Sequence, residues 1–333
     1  MLSADRAPNR TVLVLTLGGT IAMTRNAAAS GVTPTLAGSD LVGAVVGLQD
    51  TAELIVEDFR QMPGASLTTG DIVSLVKRLR QADEEGVDGV VVTQGTDTLE
   101  ETSYLTALYY QGALPVVFTG AMRNAATAGA DGPANLLAAV QTAGSAEARG
   151  AGVLVVLGDE IHAARHVRKM HTTSPGAFGS PNTGPLGYVA EGSARFHQSL
   201  KPIAPLPLPA GALPQVEIVT ASLGSSGTLL KGLENEVAGL VVAAFGVGHV
   251  PDSWCSRLEA LAAAMPVVLA SRIGTGPVLT STYGFSGSES DLLTRGLIGA
   301  GTLDPYKARL LLAALLAADT PRPEVAKAFL NHS

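Results

Sequence analysis

Three short segments of the chain gather hydroxyls, a carboxylate, a lysine and glycines densely enough to do chemistry on a small polar substrate. The first is Thr16-Leu17-Gly18-Gly19-Thr20-Ile21, where paired glycines let the backbone turn tightly and bring a hydroxyl, a candidate nucleophile, to a sheet edge. A phosphate-cradling loop is the rival reading, but the segment lacks the lysine of a P-loop and the third glycine of a dinucleotide fingerprint. The second is Thr93-Gln94-Gly95-Thr96-Asp97-Thr98-Leu99-Glu100-Glu101-Thr102. Asp97 or Thr98 would cap a following helix, and Glu100 and Glu101 suit its positive end. Even so, the segment holds more polar groups than one cap requires. The third is His166-Val167-Arg168-Lys169-Met170-His171-Thr172, whose Lys169, taken alone, reads as a solvated surface lysine.

Such segments have to follow strands, because open α/β sheets bind ligands outside the carboxyl ends of their strands. Short β-branched runs alternate with longer amphipathic stretches, the pattern of βαβ units. Strands are predicted over residues 11–15, 54–59, 89–93, 115–119 and 153–158, and helices over 69–84, 99–111 and 132–143. Between residues 195 and 214 stand Pro202, Pro205, Pro207, Pro209 and Pro214, a density that excludes helix and central strand alike. Strands then recur at 216–220, 239–244 and 266–270, with a helix-like stretch at 251–264. The expected fold is two-domain α/β: a larger N-terminal mixed or parallel sheet domain over residues 1–194, a linker over 195–214, and a smaller C-terminal parallel α/β domain over 215–333.

Composition narrows the partners. The 333 residues carry a net charge of -7 with no basic cluster, which argues against nucleic acid, since phosphate binding needs concentrated Lys and Arg. Residues 1–10 hold no apolar stretch of a secretory signal, and a cytoplasmic protein is expected. Apolar runs such as 153–157 and 310–318 fall well short of the roughly 20 residues that span a bilayer. The single cysteine, Cys255, excludes an intramolecular disulfide and a Cys-based metal cluster. His162, His166 and His171 are spaced for a metal site only if helix joins them, and the stretch reads as irregular. No metal and no cofactor is expected.

In one order, the three segments resemble the signatures of the bacterial-type L-asparaginases, the asparaginase/glutaminase family. The likeness continues through Gly120-Ala121-Met122-Arg123, Ala130-Asp131-Gly132-Pro133, Gly184-Pro185-Leu186-Gly187, Gly246-Val247-Gly248 and Gly301-Thr302-Leu303-Asp304-Pro305 with Lys307-Ala308-Arg309. It implies hydrolysis of asparagine, or of glutamine, to the acid and ammonia, with Thr20 as nucleophile and Thr96, Lys169 and Asp97 as the proton-accepting group. A lysine serves as base when desolvation disfavours its ammonium form, so a buried Lys169 is expected. The resemblance also implies that Asp97 takes the substrate's α-ammonium group, that backbone N–H donors near Thr96 hold the oxyanion, that Gly95 is a substrate-binding residue, and that the amide lies by the Ala121 carbonyl. It further implies a homotetramer or homodimer with sites at the subunit interface, where Glu289 of a neighbouring subunit approaches the substrate.

Three departures stand out. Residues 23–34, where the family carries a lid tyrosine that bonds the nucleophile, hold no tyrosine; Tyr283 of a partner subunit is a candidate substitute, with plain packing at an interface as the other reading of that residue. Ser66 is the nearest hydroxyl to the family's carboxylate-binding serine, although an ungapped alignment puts Gly64 there. The family's asparagine near Gly246–Gly248 is replaced by His249, Val250 and Pro251. A protein that keeps the fold and binds an amino acid without turnover is the alternative from another class.

Overall fold

The computed structural model describes residues 10–18, 23–25, 32–34, 38–43 and 45–332. It divides into two compact units, Met1–Pro202 and Ile203–Ser333. The larger unit runs through β1 (Thr11–Thr16), a short pair β2 (Met23–Arg25) and β3 (Val32–Pro34), α1 (Gly38–Gly43), β4 (Glu53–Asp58), α2 (Thr69–Glu85), β5 (Gly89–Thr93) and α3 (Leu99–Tyr109). It continues with β6 (Val116–Thr119), α4 (Gly132–Ala143), β7 (Val153–Leu157), β8 (Glu160–Ala163), β9 (Arg168–Lys169), β10 (Phe178–Gly179), β11 (Gly187–Ala190) and β12 (Ser193–Phe196).

Eight of these strands form one sheet in the order β12-β11-β8-β7-β6-β5-β1-β4. From β7 to β4 neighbours are parallel, and β8, β11 and β12 extend the sheet antiparallel. The central strands are continuous apolar runs because both faces are covered. Val12 and Val14 pack with Leu136, Ala139 and Val140 of α4. Leu13 and Leu15, pointing the other way, pack with Leu75 and Leu79 of α2. Helix α2 supplies its apolar face at helical spacing, Ile72, Leu75, Val76, Leu79 and Ala82. Burial of each of the four larger side chains contributes about 1.5–3 kcal/mol.

Register decides what meets at the sheet edge. Thr16 pairs with Thr93, and Thr93 with Thr119, so β1, β5 and β6 end level and their following loops leave side by side. The antiparallel strands are absent from the predicted series. Two-residue turns make them: Leu157 pairs with Glu160 around Gly158 and Asp159, and Ala190 with Ser193 around Glu191 and Gly192. All four turn residues have positive φ, between 51° and 75°, the hairpin turn that matches strand twist. The third polar segment therefore follows β8 rather than β7.

No helix or strand occurs over residues 197–215, and β12 takes up the first two residues of the proline-rich stretch. The smaller unit contains β13 (Val216–Thr220), β14 (Gly239–Ala244), α5 (Cys255–Ala264), β15 (Val267–Ser271), α6 (Glu289–Thr294), β16 (Ile298–Gly299), α7 (Pro305–Ala317) and α8 (Arg322–His332). Its sheet is parallel throughout, ordered β13-β14-β15-β16. Leu240, Val242, Val267 and Leu269 build the core with Trp254 and Leu258. Asp304 starts α7 by accepting the Tyr306 and Lys307 N–H groups at 3.0 and 3.1 Å, with Pro305 in the first turn. Among the described residues no helix is long and apolar enough to cross a membrane.

Candidate active site

The loops after β1 and β5 are tied together at the sheet edge. Leu17 donates its N–H to Thr93 O at 2.8 Å, and Met62 donates to Leu17 O at 3.3 Å. Gly18 has φ +92°, and a Cβ there would lie 2.6 Å from Met62 O; only glycine permits this approach. The nucleophile expected two residues on, Thr20, lies outside the described residues. The 61–66 segment is drawn in further by Thr98, whose hydroxyl donates to Gly64 O at 3.0 Å. Gly64 is buried against Gly95, since a Cβ on it would stand 3.1 Å from Gly95 O. Ser66 is exposed, and Thr68 rather than Ser66 caps α2, in a reciprocal box with Asp71.

Thr96, Asp97 and Lys169 meet. The Lys169 ammonium nitrogen Nζ lies 2.9 Å from Thr96 Oγ1 and 2.9 Å from Asp97 Oδ1. Neither Asp97 nor Thr98 caps α3 through its side chain: one is turned to the lysine, the other to Gly64. Lys169 arrives on β9, which pairs with β10, and its own N–H donates to Glu100 Oε2 at 3.0 Å. Glu100, buried in the first turn of α3, thereby fixes where the lysine stem begins. The Lys169 side chain is 17% exposed and that of Asp97 is 70% exposed. The amine is thus sheltered without being sealed, while the carboxylate is open to a cationic group from solvent.

Ala121 is buried in the loop after β6, which Asn135 of α4 and Asp131, the residue just before that helix, brace. Asn135 donates to Gly120 O at 2.9 Å and accepts the Gly158 N–H at 3.0 Å. Asp131 accepts the Met122 and Arg123 N–H groups at 2.9 and 2.8 Å. Asn135 escaped the sequence reading because a lone amide inside an amphipathic helix carries no signal; Asp131 was visible only as part of a motif.

In the smaller unit, Glu289 is fully buried at the start of α6. Its Oε1 accepts the Thr282 and Tyr283 N–H groups at 2.9 and 2.8 Å, and its Oε2 lies 3.1 Å from His249 Nε2. Burial pushes this carboxyl up, but the Tyr283, Glu289 and Thr282 N–H groups and His249 together hold it below the usual glutamate value. Both oxygens are occupied by the unit's own groups, so the carboxylate anchors the Tyr283 backbone. The outward residues are aromatic: Tyr283 and Phe285 are about half exposed, and the His249 ring sits edge-on to them at 4.9 and 5.0 Å.

The three histidines serve separate contacts. His171 accepts the Thr173 and Ser174 N–H groups, each at 3.0 Å, and His166 accepts from Arg165 at 3.0 Å. His162 is fully buried with Nδ1 3.0 Å from Ser180 Oγ. Desolvation pushes it down to about 4, and the half-exposed Glu160, 3.2 Å from Nε2, is misaligned for a hydrogen bond. Between about pH 6.5 and 4 the unfolded chain binds a proton here that the folded one refuses, so stability falls as pH falls, by up to about 3 kcal/mol. Urea titrations between pH 7 and pH 4 are expected to show a shallower loss for His162→Gln than for wild type; equal slopes would contradict this.

Comparison with known proteins identifies the family. Residues 11–202 match the family described as Asparaginase, N-terminal, and residues 215–329 the Glutaminase/Asparaginase C-terminal domain. A probable L-asparaginase from Deinococcus radiodurans is 38% identical over 94% of each chain. L-asparaginase 2 of Escherichia coli is 36% identical over 93% of this chain and 89% of its own. A glutaminase-asparaginase from Pseudomonas aeruginosa is 33% identical over 96% of this chain and 90% of its own. The crystal structure of a probable cytoplasmic L-asparaginase from Campylobacter jejuni superposes with a TM-score of 0.87 at 32% identity, covering 97% of this chain and 99% of that one. Sequence signatures, sheet topology and the lysine-bridged threonine and aspartate converge: the chain belongs to the asparaginase family.

Proposed function

We propose that the chain hydrolyses L-asparagine to L-aspartate and ammonia, with L-glutamine as a second substrate. The observation that carries this reading is the Lys169 amine held 2.9 Å from both Thr96 Oγ1 and Asp97 Oδ1, a base, a hydroxyl and a carboxylate in one contact group. Asp97, largely open, pairs with the substrate's α-ammonium group. The Thr20 oxygen attacks the amide carbon while its proton passes toward Thr96 and Lys169. The C–N bond then breaks, and the nitrogen leaves as ammonia with the returned proton. Water opens the resulting ester in a second step of the same kind, releasing aspartate and restoring Thr20. No metal or cofactor takes part.

Relatives named for asparaginase and for glutaminase-asparaginase activity support both amides as substrates. Ammonia release measured with asparagine and with glutamine tests the reading. Release from at least one is expected, and binding without release from either would overturn it in favour of an amino-acid-binding protein. The same reading has the protein act in the cytoplasm as a homodimer or homotetramer, with Tyr283 of a partner subunit bonding Thr20 in place of a lid tyrosine. Tyr283→Phe is then expected to lower kcat by about ten-fold with the assembly intact by light scattering. Unchanged turnover would remove Tyr283 from the site.

A further inference from the structure

We infer that Gln94 is a positioning residue for this reaction, one that aims the Thr96 N–H at the oxygen on which negative charge develops. The inference rests on the amide-hydrolysis reading. Gln94 follows β5 directly and is fully buried, an expensive place for a primary amide unless both of its ends are bonded. Both are. Its Nε2 donates to Gly95 O at 3.1 Å, and its Oε1 accepts the Thr102 hydroxyl at 2.7 Å. Because Gly95 O can only accept and the Thr102 hydroxyl is donating, the amide has one orientation.

The carbonyl of Gly95 and the N–H of Thr96 belong to the same peptide plane and point in opposite directions. Fixing one therefore fixes the other. Gly64 presses on Gly95 O from one side, and Gly120 packs on Gln94 O, where an added Cβ would lie 2.6 Å away. Gln94 is also tied to the sheet through its N–H, which donates to Thr119 O at 3.0 Å. Among the described residues the Thr96 N–H itself meets no acceptor, and it belongs to the residue whose hydroxyl is in contact with Lys169. A donor held in this way needs no reorganisation when charge appears on the attacked carbonyl.

Such a donor acts mainly on the transition state, so loosening it lowers kcat and leaves KM nearly unchanged. Gln94→Met keeps the volume and removes both bonds; kcat is expected to fall about ten-fold with KM within about two-fold. Thr102→Val, which frees the far end of the amide, is expected to lower kcat in the same direction by less, and Thr102→Ser to restore wild-type turnover. The double variant Gln94→Met with Thr102→Val is expected to be no slower than Gln94→Met alone, since the hydroxyl acts through the amide. A folded Gln94→Met enzyme with wild-type kcat overturns the inference, as does a loss confined to KM. Should Gln94→Met fail to fold, equal kcat for Thr102→Val and Thr102→Ser overturns it instead. A wild-type protein that releases no ammonia would overturn the amide-hydrolysis reading and the inference with it; an active wild type with an unaffected variant overturns the inference alone.

Discussion

Lys169→Met is expected to slow ammonia release from L-asparagine by about a thousand-fold, in a protein that folds like the wild type. Methionine fills the same sheltered channel but offers nothing to Thr96 Oγ1 or Asp97 Oδ1, each 2.9 Å from the amine it replaces. The lost ion pair costs little stability, because the Asp97 side chain is 70% exposed and water takes up the freed oxygen. Lys169→Arg is expected to be nearly as inactive, since a guanidinium keeps the charge and cannot accept a proton at neutral pH. Coupled ammonia assays alongside thermal melts check both. Turnover of Lys169→Met within ten-fold of wild type would exclude the lysine as base.

The second large effect is expected at Thr20. Thr20→Ala is expected to bring ammonia release down to background, at least about a thousand-fold below wild type, whereas Thr20→Ser keeps a hydroxyl and a measurable fraction of the rate. Substrate binding should persist in both variants, because the carboxylate proposed to hold the α-ammonium group is Asp97. Isothermal titration with aspartate separates binding from turnover. If Thr20→Ala retained more than about a tenth of the rate, the nucleophile would be Thr96, the hydroxyl that already touches Lys169.

What was legible beforehand follows the physics of each element. The central strands β1, β5, β6 and β7 are legible because burial on both faces turns them into unbroken apolar runs, and α4 stands at residues 132–143 as predicted. Helix α3 ends at Tyr109 rather than residue 111, and the helix-like stretch from 251 opens with a tighter turn before α5 begins at Cys255. The antiparallel strands were missed because β8, β11 and β12 are short runs broken by charged, polar or small residues, Glu-Ile-His-Ala, Gly-Tyr-Val-Ala and Ser-Ala-Arg-Phe. Their pairing is set by turns whose residues, Gly-Asp and Glu-Gly, are weaker signals than Asn-Gly or Asp-Gly.

At the site, the segments carrying Thr96, Asp97 and Lys169 were legible, but their supports were not. Gln94, Glu100 and Asn135 each look like an ordinary polar residue until a loop from another strand end is laid against it. The His249–Glu289 contact joins residues 40 apart in sequence, and only the end-on meeting of their loops reveals that Glu289 faces inward.

The distance along the chain between Thr96 and Lys169 has a consequence for how the protein comes into being. They are 73 residues apart, and β6, α4, β7 and β8 all lie between them. Closing so long a loop costs entropy that only the intervening sheet can offset. The hydroxyl, the carboxylate and the first turn of α3 are local in sequence, whereas the amine reaches them on the ribbon of β9 and β10, anchored by the Lys169 N–H on Glu100. On the proposed mechanism, amide hydrolysis therefore depends on the ribbon that carries Lys169 as much as on the sheet edge that carries Thr96.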